Sequence, residues 1–213
     1  MMKHTMTIAG LQRDLPICRV TDDLYIGAFV IFGDCELTQA CAVELLKRAP
    51  EYDYIITAES KGIPIAYEMA RQAGDRKWLL ARKGAKLYMQ NVFGVEVKSI
   101  TTAAVQKLYL DGADAALMQG KRILIVDDVI STGESLRALE ELVNKAGGQI
   151  VGRMAILAEG DAQKRDDLID LEKLPLFNAK GEVIGGAVPI NPHPARRCGF
   201  CCPCMQAKNV ACC

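Results

Sequence analysis

Short apolar runs alternate with amphipathic segments along this chain in the rhythm of a parallel sheet. Asp53–Thr57 (DYIIT), Lys77–Ala81 (KWLLA), Arg122–Val126 (RILIV) and Val151–Leu157 read as strands, since non-alternating runs rich in β-branched residues suit strands buried on both faces. Ile63–Ala73 and Ser135–Ala146 read as helices, the second carrying Leu136, Leu139, Val143 and Ala146 at helical spacing. Glycines stand where each would end, at Gly74 and at Gly147-Gly148. An earlier helix is predicted over Glu36–Ala49, with Asp34 able to cap its start and Pro50 to stop it. Strand, helix, strand repeated in this way implies βαβ units. The expected fold class is α/β, a single domain with a mostly parallel sheet flanked by helices.

Two stretches depart from that rhythm. Between Lys83 and Gln119 the pattern loosens, with no clean helix over Gly84–Val97 and a hairpin-like alternation over Val95–Thr101. A long irregular insertion in a compact α/β domain reads as a functional lid. Residues 163–174 (QKRDDLIDLEKL) read as a charged helical piece that leads to Pro175 and an extended, glycine-rich end. The organisation expected is therefore an N-terminal segment with the first helix over 1–50, a core over 51–175, and a C-terminal extension over 176–213.

Composition narrows the class. The chain has 213 residues, 24% of them charged, and its 26 basic residues balance 26 acidic ones. That neutrality argues against a broad nucleic-acid or membrane footprint. No apolar run approaches the ~18 residues that a transmembrane helix needs, and the N-terminal residues MMKHTMTIAGLQRDLP lack the apolar core of a secretory signal. A soluble, cytoplasmic protein is expected.

The candidate chemistry gathers at Arg122–Ser135, RILIVDDVISTGES. Asp127 and Asp128 come at the carboxyl end of an apolar strand, where open α/β sheets bind ligands. Ile130, Ser131, Thr132, Gly133, Glu134 and Ser135 then lead into a helix. A small-residue loop feeding a helix N-terminus offers free backbone N–H groups to a phosphate. Ionised aspartates only accept hydrogen bonds, which suits vicinal hydroxyls. A phosphate site beside a diol site describes a ribose 5-phosphate. No GxxxxGK[ST] occurs, so this is not a Walker A loop. Glu59-Ser60-Lys61-Gly62 follows its own strand in the same manner, placing a mobile cation and a glycine at the same sheet edge. Arg82, Lys83 and Lys86 add three cations in five residues after the next strand.

VDDVISTGES resembles the phosphoribosyl-pyrophosphate motif of the type I phosphoribosyltransferases, and the resemblance runs from about Phe29 to Glu159. It implies transfer of phosphoribosyl from phosphoribosyl pyrophosphate to a purine, in purine salvage, with pyrophosphate released. Asp127, Asp128 and Lys83 become the catalytic group, and residues 130–135 the 5-phosphate loop. Glu59, Ser60, Lys61, Gly62, Arg82, Lys83 and Lys86 would hold pyrophosphate, with magnesium as cofactor. The N-terminal segment would form a small hood, from which Phe32 stacks on the base; its other reading is a core phenylalanine. The likeness is adenine-type overall. Gly33 nevertheless stands where adenine enzymes place arginine, and Ser99-Ile100-Thr101 stands where they carry a loop glutamate, as in xanthine enzymes. A xanthine or guanine enzyme, or a non-catalytic sensor of phosphoribosyl pyrophosphate, is the alternative. The resemblance also implies a homodimer, and the neutral charge balance implies no nucleic-acid or membrane partner.

Cysteine crowds into the last sixteen residues. Cys198, Cys201, Cys202 and Cys204 supply enough thiolates for a zinc or soft-metal site. Their spacing matches no paired C-x2-C module, and Asn191-Pro192-His193-Pro194 marks a break in composition. The tail reads as an appendage to the domain.

Overall fold

The computed structural model describes residues 2–98 and 105–184. Three antiparallel strands open the chain: β1 (Lys3–Ile8), β2 (Leu11–Arg19) and β3 (Tyr25–Gly27). Ala9 and Gly10 join the first two, both at positive φ, as a two-residue hairpin turn requires. Helix α1 (Cys35–Leu46) follows, and the Asp34 carboxylate accepts the Leu37 N–H at 3.0 Å to cap it. Arg13 Nε donates to the same carboxylate at 2.6 Å, which pins the first sheet to the first helix. That guanidinium holds the Asp34 carboxyl below the usual carboxylate range.

The core then builds as β4 (Tyr54–Ala58), α2 (Ile63–Ala73) and β5 (Leu79–Ala81). A hairpin of β6 (Phe93–Lys98) and β7 (Val105–Leu110) is followed by the short α3 (Gly112–Leu117). Next come β8 (Arg122–Ile130), α4 (Glu134–Lys145) and β9 (Gln149–Glu159). A 3-10 turn over Gly160–Lys164 leads to β10 (Ile169–Leu174), and β11 (Leu176–Phe177) and β12 (Val183–Ile184) close the described chain. The central sheet has the order β10-β9-β8-β4-β5, parallel throughout, with β8 in the middle. One face is covered by α4 and the β6–β7 hairpin, around Leu136, Leu139, Val95 and Leu108. The other is covered by α1 and α2, around Leu37, Cys41, Ile65 and Met69. Two-sided burial is why the strands read as continuous apolar runs.

The expected α/β class and the helix over Ile63–Ala73 match the structure. Four differences have physical causes. The Asp-Asp strand does not stop at Val126. It pairs with β9 as far as Ile130↔Ala158, while its pairing with β4 ends at Ile56↔Ile125. The acids therefore lie on a strand with one neighbour left, at the point where the sheet opens. Beyond the 3-10 turn, residues 165–174 are not helical, although Leu168, Leu171 and Leu174 are all buried at a helix-like spacing of three. A free edge on β9 captures Ile169–Leu174 as a strand instead, and tertiary pairing overrides the local period. The insertion after Lys83 is not irregular throughout. Val95, Val97, Leu108 and Leu110 all bury against α4, and Lys145 from α4 donates to Gly94 O at 2.7 Å. Finally, a sheet precedes the first helix in the N-terminal region. Its order is β1-β2-β3-β11-β12, so residues 176–184 complete it. His4 packs on Phe177 with ring centroids 5.0 Å apart.

Among the described residues no helix is long and apolar enough to cross a membrane. The cysteines of the tail and Ser99-Ile100-Thr101 lie outside the described residues.

Leu139 is fully buried between α4 and the sheet. Leu139→Ala is expected to cost about 2–5 kcal/mol, read from the urea midpoint at constant slope. Val105→Ala, at a side chain 42% exposed, is expected to stay within about 0.5 kcal/mol of the parent.

Candidate functional site

Three loops open at the carboxyl edge of the central sheet, after β4, β5 and β8. Asp128 is 2% exposed, and its backbone N–H donates to Asp127 Oδ1 at 2.9 Å. Lys61 Nζ, from the loop after β4, lies 3.1 Å from Asp128 Oδ2 as an ion pair, yet no described donor meets that oxygen in hydrogen-bond geometry. Burial, with the Asp128 charge next to it, pushes the Asp127 carboxyl up to about 7. Two acids side by side in a site with little water resist ionising together. Glu159, at the end of β9, is likewise raised by burial, and Lys61 opposes the shift.

Gly62 lets these elements meet. A Cβ there would lie 2.1 Å from Thr57 Oγ1 and 2.7 Å from Asp127 Oδ1. Only a residue without a side chain fits between β4 and the acid pair. Thr57 is fully buried, and its hydroxyl has no partner among the described residues. It is the polar member of an otherwise apolar strand, and that signal in DYIIT could have marked it.

Glu59 joins two loops. Its carboxylate accepts the Arg82 guanidinium at 2.9 Å and the Lys83 backbone N–H at 3.1 Å. The Lys83 N–H, with Arg82 helping, holds its carboxyl below the ordinary range. Arg82 is also paired through its backbone with Tyr109 of β7, 2.8 Å in both directions. The cationic segment therefore leaves from a fixed point, and Leu87 and Tyr88 beyond it are exposed. Lys86 belongs to this segment, and its charge acts on Glu59. Glu59 sits between the cations as a brace. Ser60 lies in the same turn, between Glu59 and Lys61.

After β8, Ser131, Thr132 and Gly133 turn the chain into α4. Gly133 is the N-cap at φ 76°, a left-handed conformation that favours glycine. Glu134 and Ser135 form the first turn, where an acid is favoured by the helix macrodipole. Ile130 is buried and anchors the loop, and Ala162 N–H from the following 3-10 turn donates to Ser131 O at 3.1 Å. Phe32 is 48% exposed, whereas Phe29 is 4% exposed. The core phenylalanine of that segment is Phe29, which leaves the Phe32 ring available to a ligand. Arg165, absent from the expected site, also reaches this loop.

The arrangement offers backbone donors for a phosphate, two acceptors for a diol and a set of cations for a second anion. Residues 41–184 match the model of the phosphoribosyl transferase domain. The chain is 31% identical over 134 residues to an adenine phosphoribosyltransferase of Petrotoga mobilis, covering 61% of this chain and 70% of that one. It is 34% identical over 113 residues to a hypoxanthine/guanine phosphoribosyltransferase of Methanococcus voltae, covering 53% of this chain and 56% of that one. In fold it is similar to the crystal structure of adenine phosphoribosyltransferase from Thermoanaerobacter pseudethanolicus, with a TM-score of 0.57 at 22% identity over 67% of this chain and 84% of that one.

Two outcomes follow from the packing of the acids. Because the folded state raises the Asp127 carboxyl from 3.8 to about 7, the stability it contributes is full below pH ~4 and is lost as pH rises towards 7. Asp127→Asn is expected to flatten that part of the melting-temperature profile, and an unchanged slope would count against the raised carboxyl. Gly62→Ala is expected to cost about 1–3 kcal/mol through overpacking, measured by denaturant unfolding.

Proposed function

The chain belongs to the phosphoribosyl transferase domain family, and from that premise we propose that it transfers phosphoribosyl from phosphoribosyl pyrophosphate to a purine in salvage, adenine before the others, and releases pyrophosphate. One observation carries this reading: half-buried Asp127 and buried Asp128 stand next to the small-residue turn that opens α4. In that reading the acids accept the ribose hydroxyls and favour positive charge developing on the sugar ring. Backbone N–H groups of residues 131–135 take the 5-phosphate. Lys61, Arg82, Lys83 and Lys86 face the pyrophosphate, whose charge grows as it leaves. Phe32 offers its ring to the purine face. Little covalent chemistry falls to the protein, so position and electrostatics must supply the rate.

Magnesium fits the donor set in a limited way. Asp128 Oδ2 is a hard oxygen with no hydrogen-bond donor, balanced by Lys61 alone among the described residues. No described group of three His, Cys, Asp or Glu residues could cage a cation. Asp127 and Asp128 would meet the ion through substrate oxygens and waters, as magnesium favours. Bound there, it would neutralise pyrophosphate charge. The reading includes a cytoplasmic enzyme and a homodimer, and exposed Leu87, Tyr88 and Val92 beside the cationic segment support a protein contact there.

A second reading, a sensor that binds phosphoribosyl pyrophosphate without turnover, rests on the departures at Gly33 and at Ser99-Ile100-Thr101. Pyrophosphate release with phosphoribosyl pyrophosphate, magnesium and each of adenine, guanine, hypoxanthine and xanthine separates the two. Release with adenine is expected, and Asp128→Asn is expected to lower it by ~10²-fold or more. Release with another base alone would move the specificity. No release with any base, with binding intact and lost in Asp128→Asn, would leave the sensor.

A further inference from the structure

Arg165 stands behind the phosphate loop and has no part in the scheme above. It follows the 3-10 turn over Gly160–Lys164, whose Ala162 N–H is bonded to Ser131 O, so turn and loop are tied together. Two of its nitrogens are committed. Nε donates to Asp167 Oδ1 at 2.8 Å, and Nη2 donates to Asp167 Oδ2 at 2.7 Å and reaches Glu140 Oε1 at 3.5 Å. Arg153 from β9 pairs with the same two acids, so each divides its charge between two guanidinium groups. Nη1 is left over, with no hydrogen bond among the described residues. It would lie 3.5 Å from a Cβ placed on Gly133, and nothing else beyond that glycine's chain neighbours comes within 4 Å of the same point.

Gly133 is the N-cap of α4, and a twelve-residue helix presents the positive end of its dipole there. Nη1 lies close to that end, while Asp167 and Glu140 take the other nitrogens of the guanidinium. The side chain is one-third exposed, so its free edge is reachable while Asp167 holds its plane. An arginine can do both at once, because its planar fork donates along two edges.

We infer that Arg165 binds the phosphate of the ribose 5-phosphate moiety, Nη1 donating to a phosphate oxygen while residues 131–135 donate from the backbone. This rests on the function proposed above and adds to it a residue that clamps the phosphate from outside the helix turn. Lysine would carry the charge but could not hold Asp167 and the phosphate together.

Titration calorimetry of ribose 5-phosphate and, separately, of pyrophosphate tests it on the full chain, using the parent, Arg165→Gln and Asp167→Asn. Arg165→Gln is expected to weaken ribose 5-phosphate by about tenfold or more, with pyrophosphate affinity held within about twofold. Asp167→Asn keeps an oxygen that can accept from the guanidinium and leaves the Arg165 charge in place, so ribose 5-phosphate affinity is expected to hold within about twofold. Parent-like binding by Arg165→Gln would overturn the inference and leave the site reading intact. An equal loss in both variants would also overturn it, by making Arg165 a structural brace of the turn. A parent protein that binds pyrophosphate but not ribose 5-phosphate would sink the site reading, and the inference with it.

Discussion

Two carboxylates held side by side at the open end of β8 set the terms for everything around them. Their solvation is mostly lost and their charges repel, so Asp127 keeps its proton well above the ordinary carboxylate range. Among the described residues the structure answers with one cation, Lys61, and with nothing that satisfies Asp128 Oδ2 as a hydrogen-bond donor would. A site left in this state gains from any ligand that brings donors or positive charge. The tension is held by close packing below: Thr57, Gly62 and Asp127 leave no room for a single added carbon.

The cationic side of the site is organised by an acid. Glu59 takes Arg82 and the Lys83 N–H together, so the loop after β4 and the segment after β5 move as one body at their base. Tyr109 fixes the same point from the hairpin. The cations that follow thus leave from a point held by hydrogen bonds on two sides. A root fixed in this way suits a site whose ligand changes charge during reaction.

Residues whose roles are local in sequence were legible in it. Asp127, Asp128 and the turn to α4 occupy one continuous stretch, and a buried strand running into small residues has few other structural outcomes. The helix over Ile63–Ala73 was legible for the same reason, with Gly74 as its stop. Arg165 was not legible. It is one charge among many in QKRDDL, and its nearness to Gly133 exists only because β10 pairs with β9 and draws the intervening turn under the loop. The segment at Ile169–Leu174 misled in the opposite sense, since its leucine spacing suits a helix and only an open sheet edge makes it a strand. The first sheet was hidden because its partner, β11, is two residues long and lies far along the chain. Phe32 could be separated from Phe29 only by seeing which ring the core had taken.

That first sheet also imposes an order of assembly. Its strands come from both extremes of the described chain, β1 to β3 at one end and β11 and β12 at the other, and His4 rests on Phe177. During synthesis the parallel core can gather as its strands emerge, beginning from the N-terminal side. The sheet that carries the chain towards Phe32 stays incomplete until residue 184 has been made. The last strand of the parallel core ends at Leu174, ahead of the last strand of the first sheet at Ile184, so the core has all its strands before that sheet does.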